Sequence, residues 1–229
     1  MRAMILAAGR GERLRPLTDS TPKPLLDVGG KLLIEHHLDR LATAGFREVV
    51  INLSHLGDKI RDTLGDGSDR GLKIHYSPEP PGALGTGGGI KQALPLLGDS
   101  PFTIINGDLF TSYPLARLRA IKCDNAHLVL VPNPAHHPNG DFALRGGYVT
   151  EDAQPRHTFS GISVYHPRFF ASAPTGNFSV VPMLQKAMAM QKVTGELYRG
   201  VWHDIGTSER LESLRNQLLR GTPDLFINT

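Results

Sequence analysis

The chain opens on an apolar run that ends abruptly. Met4-Ile5-Leu6-Ala7-Ala8 gives way to Gly9-Arg10-Gly11-Glu12-Arg13 with no polar position inside the run. An unalternated run of this kind suits a central strand covered on both faces, as in a parallel sheet, and the pattern predicts a strand over 2–8. Residues 9–26 hold three prolines and show little helical periodicity. They predict a long loop, and loops of that length are usually functional. Over 31–44 the apolar positions Leu33, Ile34, Leu38 and Leu41, joined by His37, recur three and four residues apart until Gly45. That spacing predicts a helix with one buried face. Strands follow over 48–53, 72–77 and 102–106, separated by helices over 56–64 and 90–97. A second glycine-rich loop, 79–89, precedes the last of these helices.

Four alternations of strand and helix predict an α/β fold with right-handed crossovers. The expected architecture is Rossmann-like, an open, mostly parallel mixed sheet flanked by helices. In such sheets ligands gather at the carboxyl ends of the strands. The loops 9–23 and 79–89 and the Asn106-Gly107-Asp108 turn all follow carboxyl ends, so they are expected on one rim. The second half is less regular. It predicts a helix over 115–122, a strand over 127–131, a Pro-, His- and Asn-rich loop over 133–141, and strands over 142–149 and 159–165. A helix over 181–191, a strand over 195–202 and a closing helix over 208–219, capped by Thr207 or Ser208, complete the pattern. No repeat or composition shift divides the chain. The expectation is one domain over 1–221, with a nucleotide-binding half near 1–110, a sugar-binding half near 111–221 and a flexible tail at 222–229.

Composition narrows the classes. With 229 residues, 40% of them hydrophobic, the chain can bury a substantial core. The net charge of +3 is scattered, without a Lys/Arg run. It suits small anionic ligands and offers no clustered basic face for nucleic acid. The single Cys123 excludes an intramolecular disulfide and fits a reducing cytoplasm. It reads as a small buried side chain rather than a nucleophile. No apolar run is long enough for a membrane span or a signal peptide, and the expected state is a cytoplasmic monomer or small homo-oligomer.

The chemistry begins in the first loop. Gly9 and Gly11 let the backbone approach phosphate closely, Arg13 can form a fork with phosphate oxygens, and Lys23 is a point charge stiffened by Pro22 and Pro24. A dinucleotide fingerprint needs a third glycine where Leu14 stands, so that reading and the oxidoreductase it implies fail. No Walker-type GxxxxGK[ST] pattern exists either. A polyphosphate-binding loop remains.

The stretch Leu6-Ala7-Ala8-Gly9-Arg10-Gly11-Glu12-Arg13-Leu14-Arg15-Pro16-Leu17-Thr18, closing on Pro22-Lys23-Pro24-Leu25, resembles the signature of the sugar-1-phosphate nucleotidyltransferases. The resemblance continues through Leu84-Gly85-Thr86-Gly87-Gly88, Asn106-Gly107-Asp108 and Trp202-His203-Asp204-Ile205-Gly206-Thr207. It implies the fold of the nucleotide-diphospho-sugar transferases. It also implies a reaction in which an NTP and a sugar 1-phosphate give a nucleotide sugar and pyrophosphate. By the same resemblance Arg13 and Lys23 are the catalytic cations. Ala8, Gly9, Gly11, Glu12, Arg13, Lys23, Thr86 and Gly87 bind the nucleotide, and Asp108 and Asp204 bind Mg2+. The charge argument agrees: a triphosphate attacked by another phosphate needs a divalent cation, which Mg2+ supplies through one or two carboxylates. Either aspartate alone also reads as a helix cap.

The sugar side is less explicit. Many relatives carry Glu-Lys-Pro before the strand at 159–165, with its Lys on the sugar phosphate; here Gln154-Pro155-Arg156-His157 stands instead. Arg156 is one substitute. Asn106, Gly140 and Asp141 are the expected sugar contacts. His136 and His137 lack a third metal ligand at useful spacing and read as a solvated loop. Trp202 reads equally as sugar platform or core residue. The short length, Gly87-Gly88-Gly89, His136-His137 with Gly140-Asp141-Phe142, and Phe159-Ser160-Gly161-Ile162 resemble the branch that uses UTP and N-acetylmuramate 1-phosphate in peptidoglycan recycling. Mannose-1-phosphate guanylyltransferases share the catalytic motifs and are the alternative. A nucleotide-sensing module without chemistry is the non-enzyme alternative, and the presence of Lys23, Asp108 and Asp204 argues against it.

Overall fold

The computed structural model describes residues 1–80, 82 and 84–220. The tail predicted to be flexible from 222 lies outside them. At the centre is β1 (Ala3–Leu6), flanked in parallel by β2 (Glu48–Leu53) and β4 (Phe102–Asn106). Outside β2 lies β3 (Lys73–Pro78), also parallel. Side chains of β1 alternate between two cores, as period two requires. Ala3 and Ile5 pack beneath α2 (Leu33–Thr43) and α3 (Gly57–Leu64), whereas Met4 faces α4 (Gly85–Leu97). The uninterrupted apolar run at the N-terminus is therefore a strand buried on both faces.

The sheet continues antiparallel through β9 (Arg156–Tyr165) to β6 (Ala126–Val131) and then, in parallel, to β10 (Val193–Leu197). A hairpin of β7 (Phe142–Arg145) and β8 (Tyr148–Thr150) follows. The full order is β3-β2-β1-β4-β9-β6-β10-β8-β7. Because β7 also pairs with the first residues of β9, the last five strands close back on themselves. α5 (Val181–Ala189) packs on β8 and β10, and α6 (Ser208–Leu219) ends the described chain. Thr207 caps α6, its side chain accepting from the Arg210 amide. The sheet is mixed, with the parallel pairing concentrated in the first half as the alternating pattern predicts.

Five boundaries differ from the sequence reading, each for a local reason. The loop expected over 9–26 is broken by a 3-10 turn at Glu12–Leu14, the short α1 (Leu17–Ser20) and a second 3-10 turn at Lys23–Leu25. These single turns are too short to show periodicity. The glycines of 85–89 lie inside α4 rather than before it. Gly87 and Gly88 are there for space: a Cβ on Gly88 would overlap the carbonyl oxygen of Gly176, and one on Gly87 the ring of Phe178, whereas Gly85 also takes φ 68°. The strand expected over 142–149 is the β7–β8 hairpin, turning at Gly146 and Gly147 with φ of 57° and 82°. That conformation is the one a two-residue hairpin needs. The helix expected over 115–122 is a 3-10 segment, Leu115–Ala120. Finally, the strand expected over 195–202 is two strands in different sheets. β10 joins the large sheet, while β11 (Trp202–Asp204) pairs antiparallel with β5 (Leu109–Thr111).

Two outcomes follow from this packing. Gly88→Ala meets backbone that cannot yield, so it costs about 2 kcal/mol, read as a lower midpoint in urea. His37, fully buried on α2, has no partner for its Nε2, and burial pushes its pKa down to about 4. Between its ordinary 6.5 and that value the unfolded chain binds a proton that the folded one does not, so the fold loses stability as pH falls through this window. The loss is roughly 2 kcal/mol between pH 7 and pH 5, and His37→Leu removes that part of the pH slope in paired urea melts.

Candidate active site

The carboxyl ends of β1, β2 and β4 open onto a cavity of about 270 Å³. Ala8, Gly9, Gly11, Lys23, Thr86, Asn106 and Asp108, all singled out in the sequence, line it. Gly11 takes φ 66°, where a side chain is strained, to start the 3-10 turn carrying Glu12 and Arg13. The Thr18 hydroxyl donates to the Gly11 carbonyl at 2.8 Å and fixes the loop's return. Lys23 then reaches into the cavity, largely buried, and its Nζ lies 2.6 Å from Asp108 Oδ2. Asp108 stands in the turn between β4 and β5.

Asp204 reaches the same region by a different route. It is the last residue of β11, registered against Leu109, and the next amide, that of Ile205, donates to the Asp108 carbonyl at 2.8 Å. The two carboxylates predicted as a metal pair therefore share one short ribbon. Asp204 is also held by cationic or polar neighbours. Arg210 Nη1 lies 2.5 Å from its Oδ2, and His136 Nε2 lies 3.0 Å from its Oδ1. The donor set is two carboxylates, and no group of three or more acidic, His or Cys side chains is assembled as a metal cage among the described residues. Two carboxylates with Lys23 and Arg210 upon them fit a divalent cation that arrives with phosphate and water ligands, the usual manner of Mg2+.

The remaining predicted residues are placed as follows. Glu12 and Arg13 are exposed on the rim, and Arg13 points to Gly206. Gly87 lies under the Phe178 ring, outside the cavity lining. Gly140 and Asp141 stand away from the cavity. Asp141 ties its loop to β9, accepting from the Phe159 amide at 2.8 Å and lying 3.0 Å from His137 Nε2. The His136-His137 loop is thus not simply solvated, since each imidazole meets a carboxylate. Arg156 turns away, its Nη2 donating to the Glu151 carbonyl at 2.7 Å. Trp202 is half-buried and donates to the Ser160 carbonyl at 2.9 Å. Cys123 is partly buried, and burial pushes its thiol up to about 11, which leaves it protonated and unreactive.

Sequence reasoning missed Asn52, Glu79 and Arg210. Asn52 Oδ1 accepts from the Ala7 amide at 2.7 Å, and its Nδ2 donates to Glu79 Oε1 at 2.6 Å. Glu79 Oε2 in turn accepts from the Leu84 amide at 3.2 Å. This chain of bonds joins the first strand to the start of α4 across the cavity. An asparagine inside the apolar stretch Val49-Val50-Ile51-Asn52-Leu53 was the available signal.

With this geometry in hand, comparison with known proteins is decisive. Residues 2–156 match the family model described as nucleotidyl transferase. The chain belongs to that family. It is 49% identical over 221 residues to an N-acetylmuramate alpha-1-phosphate uridylyltransferase of Neisseria meningitidis serogroup B, covering 93% of this chain and 96% of the relative. A mannose-1-phosphate guanylyltransferase of Mycobacterium tuberculosis is 32% identical over 97% of this chain and 64% of its own length. Among solved structures, a putative glucose-1-phosphate thymidylyltransferase from Bacillus anthracis, in complex with a sucrose, superposes with a TM-score of 0.83 at 21% identity. It covers 100% of this chain and 97% of its own, and shares the fold.

Trp202 is the chain's single tryptophan and lies on the same strand face as Asp204, two residues on. Adding MgCl2 with UTP is expected to change its fluorescence. Asp204→Asn should abolish the metal-dependent part of that change, and an unaltered titration would separate Asp204 from the metal.

Proposed function

We propose that this chain transfers a uridylyl group from UTP to N-acetylmuramate 1-phosphate, giving UDP-N-acetylmuramate and pyrophosphate. The observation that carries the reading is the Lys23–Asp108 pair in a glycine-lined cavity, with Asp204 brought alongside by the register of β5 and β11. The choice of base and sugar rests on similarity to the Neisseria relative. On this reading residues near 1–110 hold the nucleotide and residues near 111–221 the sugar. The reaction belongs to the cytoplasm and to peptidoglycan recycling.

The chemistry asks little of a general base. A sugar-phosphate oxygen is already anionic at neutral pH; it attacks the α-phosphorus, the bond to the β-phosphate oxygen breaks, and pyrophosphate leaves. Catalysis is then positioning and charge neutralisation. Ala8, Gly9 and Gly11 present backbone to the nucleotide, and Thr86 borders the base, with Gly87 behind it packed under Phe178. Arg13 and Lys23 stabilise charge on the α-phosphate and on departing pyrophosphate. Asn106 borders the sugar from the cavity, while Gly140 and Asp141 shape the loop before β7 on the sugar side. The family works with a divalent metal, here assigned as Mg2+. Asp108 and Asp204 would hold this ion, which would supply the charge neutralisation that two approaching phosphates need.

Pyrophosphate release over a matrix of four NTPs and several sugar 1-phosphates, with Mg2+, tests this. UTP with N-acetylmuramate 1-phosphate is expected to give the highest kcat/KM. Turnover in no well would sink the enzyme reading, and GTP with mannose 1-phosphate prevailing would overturn the substrate assignment. Asp108→Asn and Asp204→Asn are each expected to lower kcat by at least about 100-fold, with circular dichroism unchanged. Near-normal rates in either would remove that residue from the metal site.

A further inference from the structure

Two guanidinium groups converge on one buried glycine beside Asp204. Both guanidinium groups close over Gly206: a Cβ there would overlap that of Arg210 and lie 3.1 Å from Arg13 Nη2. Two guanidinium groups this close repel one another and together favour an oxyanion. Arg13 has no ion pair among those found for the described residues, whereas Arg210 lies on Asp204 and 2.7 Å from His136 Nε2. His136 belongs to the loop before β7, so Arg210 stands where the phosphate-binding loop meets the half of the chain assigned to the sugar. Arg156, the cation singled out in the sequence for the sugar phosphate, is committed to the Glu151 carbonyl. Lys23 lies on Asp108 in the cavity assigned above to the nucleotide.

We propose that Arg210 binds the phosphate of the sugar 1-phosphate, and that its ion pair with Asp204 is the resting position it leaves when Asp204 takes a metal. This rests on the function proposed above. One carboxylate cannot serve a guanidinium through the same oxygen and a divalent cation at full strength. Metal at Asp204 therefore frees a planar fork, five donors wide, at the place where a phosphate dianion must arrive. In the resting protein Arg210 neutralises Asp204; in the loaded one the same side chain neutralises the substrate.

Three measurements on the full chain decide this. The first is calorimetric titration of N-acetylmuramate 1-phosphate into protein saturated with Mg2+ and a non-hydrolysable α,β-imido analogue of UTP. Arg210→Gln is expected to weaken binding at least tenfold. Arg210→Lys, which keeps the charge but not the fork, recovers part of the loss and controls for folding. The second is steady-state kinetics: Arg210→Gln should raise KM for the sugar phosphate in parallel and leave KM for UTP within about twofold. The third is Mn2+ binding to the ligand-free protein by electron paramagnetic resonance, where Arg210→Gln should bind more tightly because a competitor for Asp204 is gone. Unchanged sugar-phosphate affinity, or a rise confined to KM for UTP, overturns the phosphate role while wild-type turnover leaves the proposed function standing. Equal or weaker Mn2+ binding in Arg210→Gln overturns the resting position. A wild-type protein that neither binds nor turns over any sugar 1-phosphate overturns both the function and this assignment.

Discussion

The amide of Ile205 donates to the carbonyl of Asp108, and the site depends on that contact. It joins a turn after the fourth strand to a segment almost a hundred residues later. The three-pair ribbon of β5 and β11 keeps it in register. Side chains on a strand alternate faces, so a slip of one residue there would turn Asp204 away from its present partners. The large sheet positions the cavity that Asp108 lines, and the ribbon sets the backbone of Asp204 beside it in register.

A small apolar cluster supports the ribbon. Leu14 and Leu26 of the first loop, Phe110 of β5, Ile205 after β11, and Leu211 and Leu214 of α6 are buried against one another. The first glycine loop, the β5–β11 ribbon that carries Asp204, and the closing helix are thus parts of one packed unit, separate from the two cores on either face of the sheet. Charge follows the same economy. Each aspartate has a cation upon it, Lys23 on Asp108 and Arg210 on Asp204. Two partly buried carboxylates left alone would repel each other and raise their own cost of burial.

Much of this was legible in the sequence because it follows from local rules. The apolar run at 4–8 gave a doubly covered strand, the 3.6 period at 33–41 gave α2, and Thr207 before an amphipathic run gave the cap of α6. The glycine loop, Lys23 and both aspartates could be read from residue chemistry and motif resemblance together. What escaped was decided by partners far away in sequence. Whether Gly85 to Gly89 form loop or helix depends on Phe178 and Gly176 pressing against them. Whether the stretch from Gly195 to Trp202 is one strand or two depends on β6 and β5, each claiming a different part. Nothing in the local pattern of α6 marks Arg210, whose partners Asp204 and Gly206 are set by the fold. Asn52 was an irregularity in a buried strand until Ala7 and Glu79 were seen on either side.

The ribbon has one more consequence. Among the described residues nine strands share one hydrogen-bonded sheet, whereas a two-stranded piece three residues long is marginal in isolation and is held here by its neighbours. Local opening of a protein draws on its least cooperative units. Amides of the ribbon are therefore set to exchange with solvent through small, frequent excursions from which the central strands are exempt. Substrates and metal that bridge the ribbon to the cavity would suppress those excursions, so that the molecule becomes most uniform in rigidity at the moment it is loaded.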